Sequence, residues 1–165
     1  MEVSLVEIDL SSRPVLENLF QYYVYDMSGF LALSTNEMGQ YNVNHSQLDI
    51  YWQRDDHTPF FIYVDSEIAG FALIRRYPTQ LSTYDIEQFF VLKAFKGKGV
   101  GKKALKLLTT QFSGEWQVRV LVENSDGLQF WLSAITNIVE QEYVLSQELD
   151  IDLMMHFIRF TTSEK

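Results

Sequence analysis

FKGKGVGKKAL, residues 95–105, places glycine at positions 97, 99 and 101 among four lysines and then continues as a helix. Val100, Ala104, Leu107 and Leu108 share one face of that helix, which is expected to stop near Gly114. Just upstream, Tyr84–Leu92 reads as a strand, so the hydrophobic period changes from about 2 to about 3.6 across the glycines. A helix N-terminus leaves about four backbone N–H groups without internal partners and carries roughly half a positive charge, which makes it an anion site. Glycine lets the anion reach the main chain, and Lys96, Lys98, Lys102 and Lys103 add positive potential. Each charge-assisted hydrogen bond there contributes about 1.5 to 3 kcal/mol. A phosphate group is the expected ligand.

The spacing argues against two nucleotide motifs. A Walker loop ends in Gly-Lys-Ser or Gly-Lys-Thr, but Lys102 is followed by Lys103, and the Gly97–Gly101 spacing is one residue short. In the dinucleotide pattern G-x-G-x-x-G the third glycine would fall on Lys102, and the elements around it do not form a doubly wound sheet.

The rest of the chain sets the frame. Its 165 residues are expected to form one domain, 1–165, and the 47% hydrophobic content with 12 Phe, 9 Tyr and 3 Trp supplies a core. A formal net charge of −9 speaks against contact with nucleic acid and for an amine or other cation as partner. The absence of cysteine excludes disulfides, thiolate metal sites and a cysteine nucleophile. His45, His57 and His156 lack ligand spacing, so no metal is expected, and His156 reads as a core or edge histidine. MEVSLVEIDL carries no basic residue and no apolar run approaches the ~18 residues of a membrane span, so a cytoplasmic protein without membrane contact is expected.

Strands are expected at Val3–Ile8, Phe60–Val64, Ile68–Arg75, Tyr84–Leu92, 116–122, near Tyr143, and Leu153–Phe160. Helices are expected from Ser11 or Ser12 to about Tyr25, near Ser46–Trp52, after the glycines, and after Asn124, a good cap. LSQELDID, 145–152, reads as a solvated turn. The order β α α β β β α β α β β predicts a mixed α/β domain. Its twisted sheet of about six or seven largely antiparallel strands carries helices on both faces, with one parallel crossover between residues 84 and 122.

KGKGVG, 96–101, preceded by DIEQFFVLKAF and followed by VLVENSDGLQFWL, resembles the acetyl-CoA site of the GNAT superfamily of N-acetyltransferases. The family's loop is Arg or Gln, two residues, Gly, any residue, then Gly or Ala; the order of elements also agrees, so the resemblance covers most of the chain. It implies that the amides of Gly97, Lys98, Gly99, Val100, Gly101 and Lys102, with Lys96 leading in, cradle the pyrophosphate of acetyl-CoA. It further implies that Phe89, Phe90 and Val91 pair through main chain with the pantetheine arm, and that Asn124 binds the arm from the other side. A backbone amide near Val91 would then face the thioester carbonyl. Two departures stand out: Lys96 replaces Arg or Gln, and the Gly-Phe that commonly ends the segment after the Asn helix is absent from SAITNIVEQEY.

Acetyl transfer to an amine also needs a base and an acid. Glu87, four residues before Val91 and on its face by strict alternation, is the candidate base, with Asp85 on the same face in reserve. Relatives often place Tyr seven residues after the Asn to protonate the departing sulfur, and that position is Trp131, whose indole donates a hydrogen bond but delivers no proton. Trp131 is therefore read as packing in the core or against the pantetheine, and Tyr143 as the substitute acid. Tyr22, Tyr23, Tyr25 and Trp52, with Asp26 as ammonium partner, are candidates for an acceptor pocket. The expected activity is acetyl transfer to a primary amine of a small molecule or peptide by direct attack in a ternary complex. The alternative is a non-catalytic acetyl-CoA-binding module of the same fold. Late strands in the family can exchange or pair between subunits, so the resemblance also allows a homodimer.

Overall fold

Strand alternation divides the apolar residues of this chain between two faces of one sheet, and each face has its own helices. In the computed structural model, which describes residues 1–163, seven strands form the sheet: β1 Val3–Glu7, β2 His57–Val64, β3 Glu67–Tyr77, β4 Gln80–Val91, β5 Gly114–Leu121, β6 Val144–Asp150 and β7 Leu153–Thr162. Their spatial order is β1-β2-β3-β4-β5-β7-β6, and every neighbouring pair is antiparallel except β4–β5. That one parallel pair is the crossover anticipated between residues 84 and 122.

The crossover helix α3, Val100–Gln111, lies on the same face as α4, Ser125–Thr136. Val100, Ala104, Leu105 and Leu108 of α3 and Trp131, Ala134 and Ile135 of α4 are buried against Phe60, Ile62, Ala72, Ile74, Ile86, Val118 and Ile158. Leu105 and Leu108 are fully buried, and each such side chain contributes about 1.5 to 3 kcal/mol relative to exposure. The opposite face is covered by α1, Arg13–Met27, and the short α2, Ile50–Gln53, over the β1–β4 half of the sheet. There Leu16, Leu19, Phe20 and Tyr51 pack on Phe61, Phe71, Leu73 and Phe90. The expected element order and helices on both faces are both observed.

One segment differs. LSQELDID is mostly β6, paired with β7 from Val144↔Arg159 to Asp150↔Leu153, and only Ile151–Asp152 turns. As an edge strand with one face open, it needs no apolar alternation, which is why its polar sequence reads as a loop. Tyr143 lies just before this strand, at the level of Phe160, Trp116 and Tyr84, and packs against the α3/α4 core.

Candidate functional site

The parallel β4–β5 ladder is short. It runs only from Thr83↔Glu115 to Ile86↔Val118, although β4 continues to Val91 and β5 to Leu121. The cause lies one residue past the last pair. Leu73 pairs with Gln88 and Ile74 with Ile86, so Glu87 is the extra residue of a β-bulge. Bulges bend the strand that carries them, and beyond this one β4 has β3 on one side and an open gap on the other. Leu92 N–H donates to Ala69 O at 2.7 Å. By alternation, Phe90 and Gln88 direct their main-chain groups at β3, whereas Phe89 and Val91 direct theirs into the gap. Phe90 is thus removed from the expected main-chain set: its amide belongs to the β3 ladder, and its ring is buried beside Phe71 and Tyr23.

At the mouth of the gap the chain turns into α3. Gly97 and Gly99 have φ of 75° and 79°, the left-handed region, and a Cβ built on either would meet nothing within 4 Å. Among the described residues, the six N–H groups of residues 97–102 find no acceptor; the first bond of the helix is Lys103 N–H to Gly99 O, 3.1 Å. Lys98 and Lys103 are exposed and make no ion pair among the described residues. Lys96 Nζ is 3.3 Å from Asp26, and Lys102 Nζ donates to Ser133 Oγ at 2.8 Å. A row of free donors at a helix start, flanked by lysines, suits a multiply charged oxyanion such as a diphosphate. Gly101 has a different role, since an added Cβ would lie 2.7 Å from the ring of Phe130, so that the ring would have to shift to admit it.

Across the gap, Asn124 caps α4, accepting the Gly127 N–H at 2.9 Å through Oδ1, and its amide nitrogen donates to no acceptor among the described residues. Trp131 is 8% exposed and meets Phe89 and Phe130 edge-on at 5.0 Å each, so it forms the apolar wall behind β4. Tyr143 is not brought to this place. Two strands, β5 and β7, separate β6 from the gap, and Tyr143 lies level with the closed end of the β4–β5 ladder, so it does not serve as the acid there.

The bulge also corrects the acid–base candidates. Glu87 does not share the face of Val91: its Oε2 accepts from Tyr51 Oη of α2 at 2.6 Å and lies 3.5 Å from Arg75 Nη1, while Val91 packs in the α3/α4 core. Its other oxygen, Oε1, has no partner among the described residues, and the side chain is 26% exposed. Asp85 is fully buried and bonded to Arg75 at 2.8 Å, to Arg119 at 3.0 Å and to Gln117 at 3.2 Å. It is shared between two arginines, which Asp150 and Glu87 also help to balance, and it has no exposed surface, which removes it as the reserve base.

The acceptor set is dispersed as well. Tyr23 is packed among Phe20, Phe71 and Phe90, and burial pushes its phenol up to about 12. Trp52 donates to Ile8 O at 2.9 Å beneath Arg13, and Asp26 pairs with Lys96, which leaves Tyr22 and Tyr25 exposed. The residues that do reach Glu87, Tyr51 and Arg75, escaped the sequence reading; Tyr51 carries no local signal beyond its place in LDIYW. Gln88 escaped too, and its Oε1 is buried with no partner among the described residues.

The sequence model described as the acetyltransferase (GNAT) family matches residues 25–131. No curated protein sequence matches. Among solved structures, an acetyltransferase from Thermus thermophilus superposes with a TM-score of 0.71 at 12% identity, covering 98% of this chain and 97% of that one. RimL, a ribosomal L7/L12 alpha-N-protein acetyltransferase in complex with coenzyme A, gives 0.69 at 16% identity, covering 99% and 96%. A mutant of spermidine N-acetyltransferase SpeG from Vibrio cholerae gives 0.65 at 12% identity, covering 96% and 94%. Among the described residues no helix is long and apolar enough to cross a membrane, and no group of three or more His, Cys, Asp or Glu is placed to hold a metal ion. The family match runs from the last turn of α1 through the bulged strand and the free amides to Trp131; it spans the elements that build the gap, and the chain belongs to the acetyltransferase (GNAT) family.

Proposed function

We propose that this acetyltransferase moves an acetyl group from acetyl-CoA to the primary amine of a small molecule or peptide, both held at once. The observation that carries the reading is the row of unpartnered amides at residues 97–102 beside a gap in the sheet. These amides and Lys98 fit the diphosphate. The main-chain groups of Phe89 and Val91, with the amide nitrogen of Asn124 opposite, fit the amide-bearing arm, and Phe89 and Trp131 wall it. Coenzyme A in the RimL structure and the amine acceptors named for RimL and SpeG are consistent with this assignment.

Acetyl-CoA supplies an acetyl group on a thioester; an amide C–N bond forms as the C–S bond breaks. An alkylammonium with a pKa near 10.4 must first lose a proton, which costs about 4 kcal/mol at pH 7.4. Glu87 Oε1, the carboxylate oxygen without a partner among the described residues, receives that proton directly or through a water. The Val91 N–H donates toward the carbonyl oxygen on which negative charge builds. Trp131 brings no titratable proton, so solvent protonates the thiolate.

The test is thiol release from acetyl-CoA with a panel of spermidine, an aromatic ethylamine and a tripeptide with a free N-terminus, for the wild type and Glu87→Gln. At least one amine is expected to turn over, with Glu87→Gln lowering kcat by about 10²-fold or more and leaving acetyl-CoA affinity intact. Failure of acetyl-CoA to bind at all contradicts the assignment; an unchanged kcat in Glu87→Gln removes Glu87 as the base.

A further inference from the structure

Glu87 does not stand alone in its bulge. Tyr51 approaches it from α2, on a different layer of the fold, and donates its phenol proton to Oε2 at 2.6 Å. Arg75 Nη1 is 3.5 Å from that same oxygen, so both protein partners fall on Oε2 and Oε1 is left open. The tyrosine is itself held in place. It is 3% exposed, and its ring meets the edge of His57 at 5.1 Å and 81°. His57 Nδ1 lies 2.7 Å from Asp56 Oδ1, and Arg54 grips both oxygens of Asp56 at 2.8 and 2.6 Å. A run of contacts thus leads from the surface at Arg54 through Asp56, His57 and Tyr51 to one oxygen of Glu87.

We propose that Tyr51 is a positioning residue for this reaction: by fixing Oε2 of Glu87 it leaves Oε1 directed at the acceptor amine. The inference rests on Glu87 acting as the base. A bulge residue has lost its ladder partner and needs some other restraint to keep one orientation, and a catalytic group must be held within a fraction of an ångström of its working geometry. A tyrosine meets this need because burial, and then the adjacent Glu87 charge, push its phenol well above the ordinary value, so it remains a donor. The alternative is that Tyr51 only fills space between α2 and the sheet.

A double-mutant cycle separates the two. The wild type, Tyr51→Phe, Glu87→Gln and the double variant are assayed with acetyl-CoA and the panel amine of highest kcat/KM, and their melting temperatures are recorded. Positioning predicts that Tyr51→Phe lowers kcat about tenfold, the factor expected for one hydrogen bond to a charged group, with the acetyl-CoA KM unchanged. In the Glu87→Gln background the same substitution then has no further effect. Site-specific 3-fluorotyrosine at position 51, which keeps both ring and donor, retains kcat and guards against a folding defect in the Phe variant. An equal loss in both backgrounds, or no loss in the wild-type background, overturns the proposal while leaving Glu87 as base. Full activity in Glu87→Gln, or no amine that turns over, overturns the base assignment and the proposal with it.

Discussion

Gly101 at the start of α3 faces Phe130 of α4 so closely that a Cβ would lie 2.7 Å from Cζ and 2.9 Å from Cε2 of the ring. This contact sets how near the amide-bearing turn stands to the Asn124 helix. Gly101→Ala overpacks it, and such insertions cost about 1 to 3 kcal/mol. Thermal denaturation should show a lower midpoint, partly restored by adding Phe130→Leu. A midpoint equal to the wild type means that the ring moves away without cost.

Gly99 tests the turn itself. Open space surrounds its missing side chain, so any effect of substitution comes from φ of 79° rather than from a clash. A β-branched residue is strained there, while Asn tolerates the left-handed region. Calorimetry should therefore find acetyl-CoA binding lost or greatly weakened in Gly99→Val and largely kept in Gly99→Asn. Equal affinity in the wild type and the Val variant would show that the turn's conformation does not matter to the ligand.

Asp85 is held between Arg75 and Arg119 with no exposed surface. Removing one partner of a buried ion pair strands the other charge, at a cost of about 3 to 5 kcal/mol. Asp85→Ala should lower the denaturant midpoint accordingly, and replacing Arg75 alone should cost less because Arg119 still balances the carboxylate. A neutral result for Asp85→Ala contradicts the structural role.

Tyr23 gives a pH test. Burial raises its folded pKa to about 12, against about 10 when unfolded. The neutral phenol is the form the fold favours, so this contribution is fully present below pH ~10 and is lost as pH rises through ~12, at about 1.4 kcal/mol per unit. Tyr51 titrates late as well, so the comparison is with Tyr23→Phe, in which only the first group is gone. Urea midpoints of the two proteins should run parallel at neutral pH and diverge above pH 10, the Phe variant keeping more stability. Parallel curves throughout would contradict the burial of the phenol.

The fold was largely legible because its elements are long and strongly patterned. The switch at Gly97–Gly101, the cap at Asn124 and the two-faced strands each carry a local reason for their structure. The proposed acyl-donor side of the site is likewise made of main chain, and free amides after a glycine turn can be read from glycine spacing. The proposed acceptor side depends on contacts between distant residues. A single extra residue at Glu87 breaks the alternation that strict period-2 reading assumes and rotates the carboxylate to the other face. Its partners Tyr51 and Arg75, and the arginines around Asp85, come from strands and helices whose registers no local pattern reveals. Edge strand β6 was anticipated near Tyr143, but its body, LSQELDID, read as a turn because its outer side needs no apolar residues.

On the reading proposed above, the N–H groups of residues 97–102 hold a diphosphate. Titration of isotopically labelled protein with acetyl-CoA, followed by amide resonances, reads those groups individually. Large saturable shifts are expected at Gly97, Gly99, Gly101 and their neighbours, reproduced by coenzyme A and much reduced with acetyl-pantetheine, which lacks the diphosphate. Saturable binding of acetyl-CoA that leaves these amides unmoved, or no binding, contradicts it.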